Sequence, residues 1–282
     1  MTKISIYEVG PRDGLQTIKK LVPTRMKRAL IQALRGAGLR SIETVSFAHP
    51  LYVPQMADAE KVFDGEGAAL VMNQRGMDRA IKSGVTHFNI VYSPSEEFNR
   101  RNLGCESKQA IARYIKMLEG VPKSNVRVYL SCFFGCPYEG SIPMGKRVRA
   151  IQTAKLFGDK VVLADTIGAG TEHEVEVGAG ICEKIGISAA LHLHHRDGRE
   201  QQAFSLVRRA IECGITEFDT SIAGLGGCPF IEGSPGNLAT ESLVNWLHFR
   251  GYECDLSVDD LKNAKSIALK ITESSLPPTL SV

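Results

Sequence analysis

The regular alternation of β-rich and helix-patterned segments constrains the fold of this chain most. Strand patterns cover Lys3 to Val9, Ser41 to Phe47, Ala68 to Met72, Thr86 to Tyr92, Val126 to Phe133, Lys160 to Leu163, Ala189 to His194 and Glu217 to Ile222. Between and after them, helical spacing covers Thr24 to Gly36, Asp58 to Phe63, Gln74 to Lys82, Ser107 to Glu119, Met144 to Phe157, Glu172 to Ile185, Arg199 to Cys213 and Leu238 to His248. Eight such units in about 250 residues predict an α/β fold, the parallel (β/α)8 TIM barrel. A doubly wound open sheet is the alternative, disfavoured by the unit count and by the lack of an early Gly-x-Gly-x-x-Gly. The whole of 1–282 is therefore read as a single domain. Its barrel spans about 3–250 and a short C-terminal helical segment about 255–282, with a last helix from Asp259 to Lys270.

Composition excludes several classes of function. A net charge of +3 gives no electrostatic footprint for nucleic acid. No apolar run approaches the roughly 20 residues of a membrane span. The N-terminal residues lead straight into a strand, with no targeting segment. Seven cysteines, an odd number, do not form a disulfide framework. These features predict a cytoplasmic protein with reduced thiols.

Polar residues gather where strands end and βα loops begin, which is where barrel enzymes build their sites. His192 and His194 are two apart in a strand and share a face, as two ligands of one ion would. A polar strand end is the plainer reading of that pair alone. Arg12-Asp13 at the end of the first strand and Asn237 after a glycine-rich loop strengthen the metal reading. Asp13, His192, His194 and Asn237 offer a carboxylate, two imidazoles and an amide oxygen, a mixed set suited to Mg²⁺ or Mn²⁺. Cys132 and Cys136 are spaced like half a zinc site but lack a second half, and are read as barrel-top residues. Arg12 could hold an oxyanion in its guanidinium fork, or pair with Glu43 or Asp165. Glu43 could position a metal-bound water or pair with Arg12, or it is a candidate acid/base. The loop Ala223 to Phe230 carries Cys228, which is an acid on a closing loop or an incidental thiol in a tight turn.

Several motifs bear a family likeness. Tyr7-Glu-Val-Gly-Pro-Arg-Asp-Gly-Leu-Gln16, Ile42-Glu-Thr-Val-Ser-Phe47, Val53-Pro-Gln-Met-Ala-Asp58, Gly135-Cys-Pro-Tyr-Glu-Gly140, Asp165-Thr-Ile-Gly168, Gly224-Leu-Gly-Gly-Cys-Pro-Phe230 and Gly236-Asn-Leu-Ala-Thr-Glu241 resemble 3-hydroxy-3-methylglutaryl-CoA lyases, in family order. The resemblance implies a metal-dependent carbon–carbon lyase on a TIM barrel, in the wider DRE-TIM group of metallolyases and acyl-CoA synthases. It implies Asp13, His192, His194 and Asn237 as metal ligands and Arg12 as the residue that stabilises an enolate oxygen. It further implies Glu43 and Asp165 as carboxylates around the substrate hydroxyl, Cys228 as the loop thiol, and Glu241 as support for the ligand shell. The substrate would be an acyl-CoA thioester cleaved to acetyl-CoA and a keto acid such as acetoacetate. Lys19, Arg100 and Arg101 are candidate holders of the coenzyme phosphates, though each also reads as an exposed charge. Asn102 joins them on the segment Ser95 to Asn102. A homodimer is expected, because symmetric dimers dominate soluble oligomers.

Two departures bear on substrate identity. The family's run after the second histidine, Asp-Thr-Tyr-Gly-Gln, is here His195-Arg196-Asp197-Gly198-Arg199. Ile18 stands where an acidic residue usually precedes Lys19. An acyl-CoA condensing enzyme is the alternative within the same chemistry, although such chains usually carry a C-terminal regulatory region. A non-catalytic barrel is the alternative outside it.

Overall fold

The computed structural model describes residues 2–195, 200–226 and 236–273. Eight parallel strands form the barrel: β1 (Ser5–Glu8), β2 (Glu43–Ser46), β3 (Ala68–Leu70), β4 (His87–Tyr92), β5 (Val126–Leu130), β6 (Lys160–Asp165), β7 (Ser188–His195) and β8 (Glu217–Thr220). Their order around the sheet is β1-β8-β7-β6-β5-β4-β3-β2. A parallel bridge between Glu8 and Ile42, with the Glu8 amide donating to Ser41 O at 2.9 Å, joins the two outer strands and closes the ring.

The helices are α1 (Thr24–Gly36), α2 (Ala59–Val62), α3 (Gln74–Lys82), α4 (Glu96–Leu103), α5 (Ser107–Met117), α6 (Met144–Phe157), α7 (Glu172–Ile185), α8 (Glu200–Glu212), α9 (Thr240–Phe249) and α10 (Val258–Glu273). α1, α3, α6 and α7 have the limits that the sequence predicts. α10 is the C-terminal extension and packs on α1. Among the described residues, no helix is long and apolar enough to cross a membrane.

Two local differences have clear causes. The fifth strand stops at Leu130 instead of Phe133, because Cys132 turns to a φ of 59° that no strand accommodates. α4 lies in a segment with no helical reading from the sequence. It is short and half charged, and of its residues only Phe98 and Asn99 are buried. Capping makes it a helix: the Ser95 hydroxyl accepts from the Phe98 amide, and Gly104 ends it in the left-handed region.

The main apolar core lies between strands and helices. Inside the barrel the apolar groups are few, with Tyr7, Val9 and Ala68 in one cluster and Tyr129, Val162 and Ala190 in another. The rest of the interior is polar, with buried Glu43, Asn89, Arg127 and Asp219.

Glu8 ties the C-terminal ends of the strands together. Its Oε1 accepts from the Gly10 amide at 2.7 Å and the Ile222 amide at 3.0 Å, while Oε2 accepts from the Thr240 hydroxyl at 2.6 Å. One carboxylate thus joins the turn after β1, the loop after β8 and the start of α9. Burial nevertheless pushes Glu8 up to about 7, against those three hydrogen bonds. Its ordinary value is 4.5, so the native state holds the proton more tightly than the unfolded chain. That contribution to stability is full below about pH 4.5 and is lost as pH rises through 7, amounting to roughly 3 kcal/mol. Replacing Glu8→Gln should flatten the decline of unfolding free energy between about pH 4.5 and 8 by that order, as read by urea unfolding. An unchanged slope in the variant would show that Glu8 does not titrate in this window.

Candidate metal centre

The first arm of the site follows β1. A tight π-type turn over Gly10–Gly14 carries Arg12 and Asp13 into the barrel mouth. Gly14 is required by close approach, since a Cβ there would lie 2.8 Å from both the Leu225 Cβ and the Ser221 Oγ. The second arm is β7, whose alternation points His192 and His194 to one face. The third is a short strand absent from the sequence reading, β9 (Gly236–Asn237), which pairs antiparallel with β7 and sets Asn237 opposite His194.

These arms converge. One ligand atom each from Asp13, His192 and His194 lies within 4.8 Å of the others, the single such group found among the described residues. The two Nε2 atoms of His192 and His194 are 2.9 Å apart. Each ring faces an acceptor on its other side: His192 Nδ1 lies 3.3 Å from Asp219 Oδ2, and His194 Nδ1 lies 3.2 Å from Thr166 O. Those acceptors favour a proton on each Nδ1, which turns the two Nε2 atoms toward each other. Either a proton on one ring, which makes the contact an N–H···N hydrogen bond, or a metal ion between the two nitrogens relieves their repulsion. An octahedral ion with bonds of about 2.1 Å sets adjacent ligand atoms about 3 Å apart, close to the spacing found.

Asn237 fits the same reading. Its Nδ2 donates to Asp13 Oδ2 at 2.9 Å and to Leu225 O at 2.8 Å. Its Oδ1 is buried and makes no well-formed hydrogen bond, with the His194 ring as its neighbour. A buried amide oxygen so left is costly, and a cation would satisfy it. Burial raises Asp13, but Arg12 and the two histidines outweigh it and hold the carboxyl below its usual range. Burial, then His192, pushes His194 down to about 4, which keeps its ring neutral. An ionised carboxylate and a neutral imidazole are states that a hard divalent cation binds; burial lowers His192, but Asp219 and Asp13 outweigh it and raise that ring, so it would release a proton on binding one.

Arg12 lies beside this group. Its Nε and Nη2 each reach Glu43 Oε2 at 2.5 Å, and its Nη1 donates to Asp13 Oδ1 at 2.7 Å. Asn89 Nδ2 donates to Glu43 Oε1 at 2.7 Å, so both Glu43 oxygens are engaged. Asp165 has its oxygens on the Ala169 and Gly170 amides, each at 2.9 Å, where it shapes the turn after β6. Burial pushes it up to about 6 despite those bonds. Glu241 does not reach Asn237; it accepts from the Ala223 amide at 3.0 Å and pairs with Lys265, anchoring the start of the glycine-rich loop.

A cavity of about 110 Å³ opens over the cluster, lined by Arg12, Asp13, Gln16, Asn102, Tyr129, Ser131, Thr166, His192 and His194, with Leu70, Met72, Val91 and Ala164 as apolar wall. Asn102 is thus at the site. Lys19 is an exposed residue of the β1–α1 loop. Arg100 and Arg101 lie on the exposed face of α4, paired with Glu97, and Arg101 also stacks 4.2 Å from the Tyr138 ring. Cys132 and Cys136 are buried, and Cys136 Sγ lies 3.1 Å from Ser95 Oγ. Cys228 and the run Arg196 to Arg199 lie outside the described residues. The sequence reading missed Asn89, Tyr129 and Asp219. Their signal is a polar residue every second position inside an otherwise buried strand, as in Arg127-Val-Tyr129 and Glu217-Phe-Asp219.

Comparison with known proteins gives concordant matches. The family model described as HMGL-like matches residues 3–267. The mitochondrial hydroxymethylglutaryl-CoA lyase of Bos taurus is 36% identical over 276 residues, covering 93% of this chain and 83% of that protein. The crystal structure of the HMG-CoA lyase from Brucella melitensis superposes with a TM-score of 0.88 at 33% identity, covering 97% of this chain and 100% of the other. An HMG-CoA lyase from Acinetobacter baumannii, solved with coenzyme A and 3-methylmalate, superposes with a TM-score of 0.88 at 31% identity, covering 96% and 91%.

The contact between Gly226 and the ligands is a sensitive point. Gly226 has a φ of +103°, and a Cβ there would lie 2.7 Å from Asn237 Nδ2 and 2.9 Å from Gly14 Cα. A Gly226→Ala variant should weaken Mn²⁺ binding at least about 10-fold while keeping the far-ultraviolet spectrum of the barrel. Binding as tight as wild type, read by titration of the free-ion paramagnetic signal, would show that the loop base does not hold the ligands.

Proposed function

The chain belongs to the HMGL-like family, and on that premise we propose that it cleaves 3-hydroxy-3-methylglutaryl-CoA to acetyl-CoA and acetoacetate at a divalent ion held by Asp13, His192, His194 and Asn237. It is an oxo-acid lyase of the hydroxymethylglutaryl-CoA type. The single observation that carries the site assignment is the facing pair of Nε2 atoms at 2.9 Å beside the buried Asn237 oxygen, which makes no well-formed hydrogen bond. The mixed donor set, without thiolate, supports Mg²⁺ or Mn²⁺. When bound, such an ion supplies Lewis acidity and a template for the substrate's oxygens.

The reaction breaks one carbon–carbon bond. The tertiary hydroxyl loses its proton, and the electron pair on that oxygen forms the ketone carbonyl of acetoacetate. The electrons of the broken bond pass to the thioester, giving an enolate that takes a proton on carbon to become acetyl-CoA. Arg12 lines the cavity with its guanidinium fixed by Glu43, so it can stabilise the enolate oxygen without reorganising. Glu43, with both oxygens engaged, acts here as the positioning residue for Arg12. Asp165 holds the turn next to the ligands. Leu70, Met72, Val91 and Ala164 limit water at the reacting carbons. We assign the returning proton to Cys228 on the resemblance of its loop. Asn102 on the cavity wall, with Lys19, Arg100 and Arg101, is assigned to the coenzyme portion.

The six described cysteines are free thiols, which supports a reducing, cytoplasmic setting. A homodimer is the proposed assembly, on the general prevalence of symmetric pairs.

The assay is acetyl-CoA release from 3-hydroxy-3-methylglutaryl-CoA by chelator-treated protein with and without added Mg²⁺ or Mn²⁺. Activity should depend on the ion. An Arg12→Gln variant should lower kcat about 10²–10³-fold while still binding Mn²⁺. Asp13→Asn should lose Mn²⁺ binding as well as turnover. Metal-independent cleavage, or an Arg12→Gln variant as fast as wild type, would overturn the assignment of roles.

A further inference from the structure

The polar interior of the barrel contains a chain of charges with no contact to the cavity. Asp219 stands on β8 beside His192 on β7, the two being register partners. Its side chain is fully buried. Its Oδ2 is the atom 3.3 Å from His192 Nδ1, and its Oδ1 accepts from Arg127 Nη2. Arg127, itself buried, also pairs with Glu217, and its guanidinium lies 4.1 Å from the Tyr7 ring centre. Lys160 completes the line by pairing with Glu217. A row of ion pairs thus crosses the barrel from its N-terminal end to the back of one imidazole.

A buried carboxylate costs several kcal/mol unless it is paired, and here Arg127 supplies the pairing. The cost has a use if Asp219 acts on the ring beside it. His194 rests its Nδ1 on a neutral carbonyl, that of Thr166, whereas His192 rests its Nδ1 on a charge. A carboxylate behind an imidazole fixes the tautomer and ring orientation and raises the basicity of the opposite nitrogen.

We propose that Asp219, held by Arg127, is a positioning residue of the metal centre: it keeps the His192 proton on Nδ1 so that Nε2 stays a lone-pair donor to the ion. The proposal rests on the metal reading above and concerns how one of its ligands is prepared. Asp219 is not among the lining residues of the cavity, so it is not assigned contact with the substrate.

The test is Mn²⁺ affinity of the full chain, stripped of metal and titrated by the free-ion paramagnetic signal. Asp219→Asn should raise the Mn²⁺ Kd about 10–100-fold, with the melting temperature of the metal-free protein kept and the KM for the acyl-CoA unchanged at saturating metal. Asp219→Asn with wild-type Mn²⁺ affinity overturns the proposal. His192→Ala separates the two readings. If it loses Mn²⁺ binding while Asp219→Asn does not, only the positioning role fails. If His192→Ala binds as wild type, the metal centre itself is misassigned. Should Asp219→Asn leave Arg127 with Glu217 alone and the barrel unfolded, the double variant with Arg127→Gln removes both charges, and the same outcomes are read on it. A measurement on the unaltered chain stands apart from folding. Ring ¹⁵N shifts of the metal-free protein at a pH where His192 is neutral should place its one ring proton on Nδ1, and the tautomer with that proton on Nε2 would overturn the proposal.

Discussion

Two imidazole nitrogens face each other at 2.9 Å, and the other nitrogen of each ring lies against a fixed acceptor. That close pairing of two Nε2 atoms is the interaction on which the rest of the site depends. On a mobile segment the rings would rotate apart. Here they stand on β7, which is hydrogen-bonded to β6 on one side and β8 on the other, with β9 added at its end. The sheet therefore sustains an arrangement that either a proton or a metal ion between the two nitrogens completes. Stability for holding it comes from elsewhere, chiefly the apolar layer between strands and helices.

The barrel interior shows the same division of labour. In many (β/α)8 proteins the interior is layered with branched apolar side chains. Here much of it is taken by Arg12 with Glu43, Arg127 with Asp219 and Glu217, and Asn89 with Tyr7 and Glu43. Buried ion pairs of this kind are weak stabilisers, since desolvation offsets most of their attraction. Their value lies in fixing geometry. Each is tied on more than one side, and each ends on a group that faces the cluster. The interior works as a frame for the mouth of the barrel more than as a core.

The fold was legible in the sequence because alternation of period two and period 3.6 survives in a chain whose strands are buried on both faces. Four of the helices have limits set by local chemistry: Pro before α1 and α6, the Asn73 cap on α3 and the Thr171 capping box on α7. α4 was illegible because its helix depends on caps and tertiary contacts more than on an apolar stripe. In the site, His192 and His194 were legible from their spacing, and Arg12, Asp13 and Asn237 from the ends of units. Asp219 and Asn89 were not, because a polar residue inside a strand says nothing of its partner until the register is known. Glu43 illustrates the limit. The sequence left it as holder of a metal-bound water, partner of Arg12 or acid/base, and only the Arg12 and Asn89 contacts show both its oxygens engaged.

The choice of an asparagine at 237 follows from charge and hydrogen bonding together. An aspartate there would place a second carboxylate against Asp13 and the Leu225 carbonyl, where Nδ2 now donates to both. Arg12, Glu43 and Asp13 carry a formal charge of −1 between them, and a divalent ion brings the cluster to +1. An enolate returns it to neutrality. With an aspartate at 237 the loaded cluster would already be neutral, and the developing anion would enter a site with no net charge to meet it, in surroundings where low dielectric makes that difference large. On the proposed reading, the amide would offer one oxygen to the cation, is oriented through two donated hydrogen bonds, and would leave a net positive charge to meet an enolate.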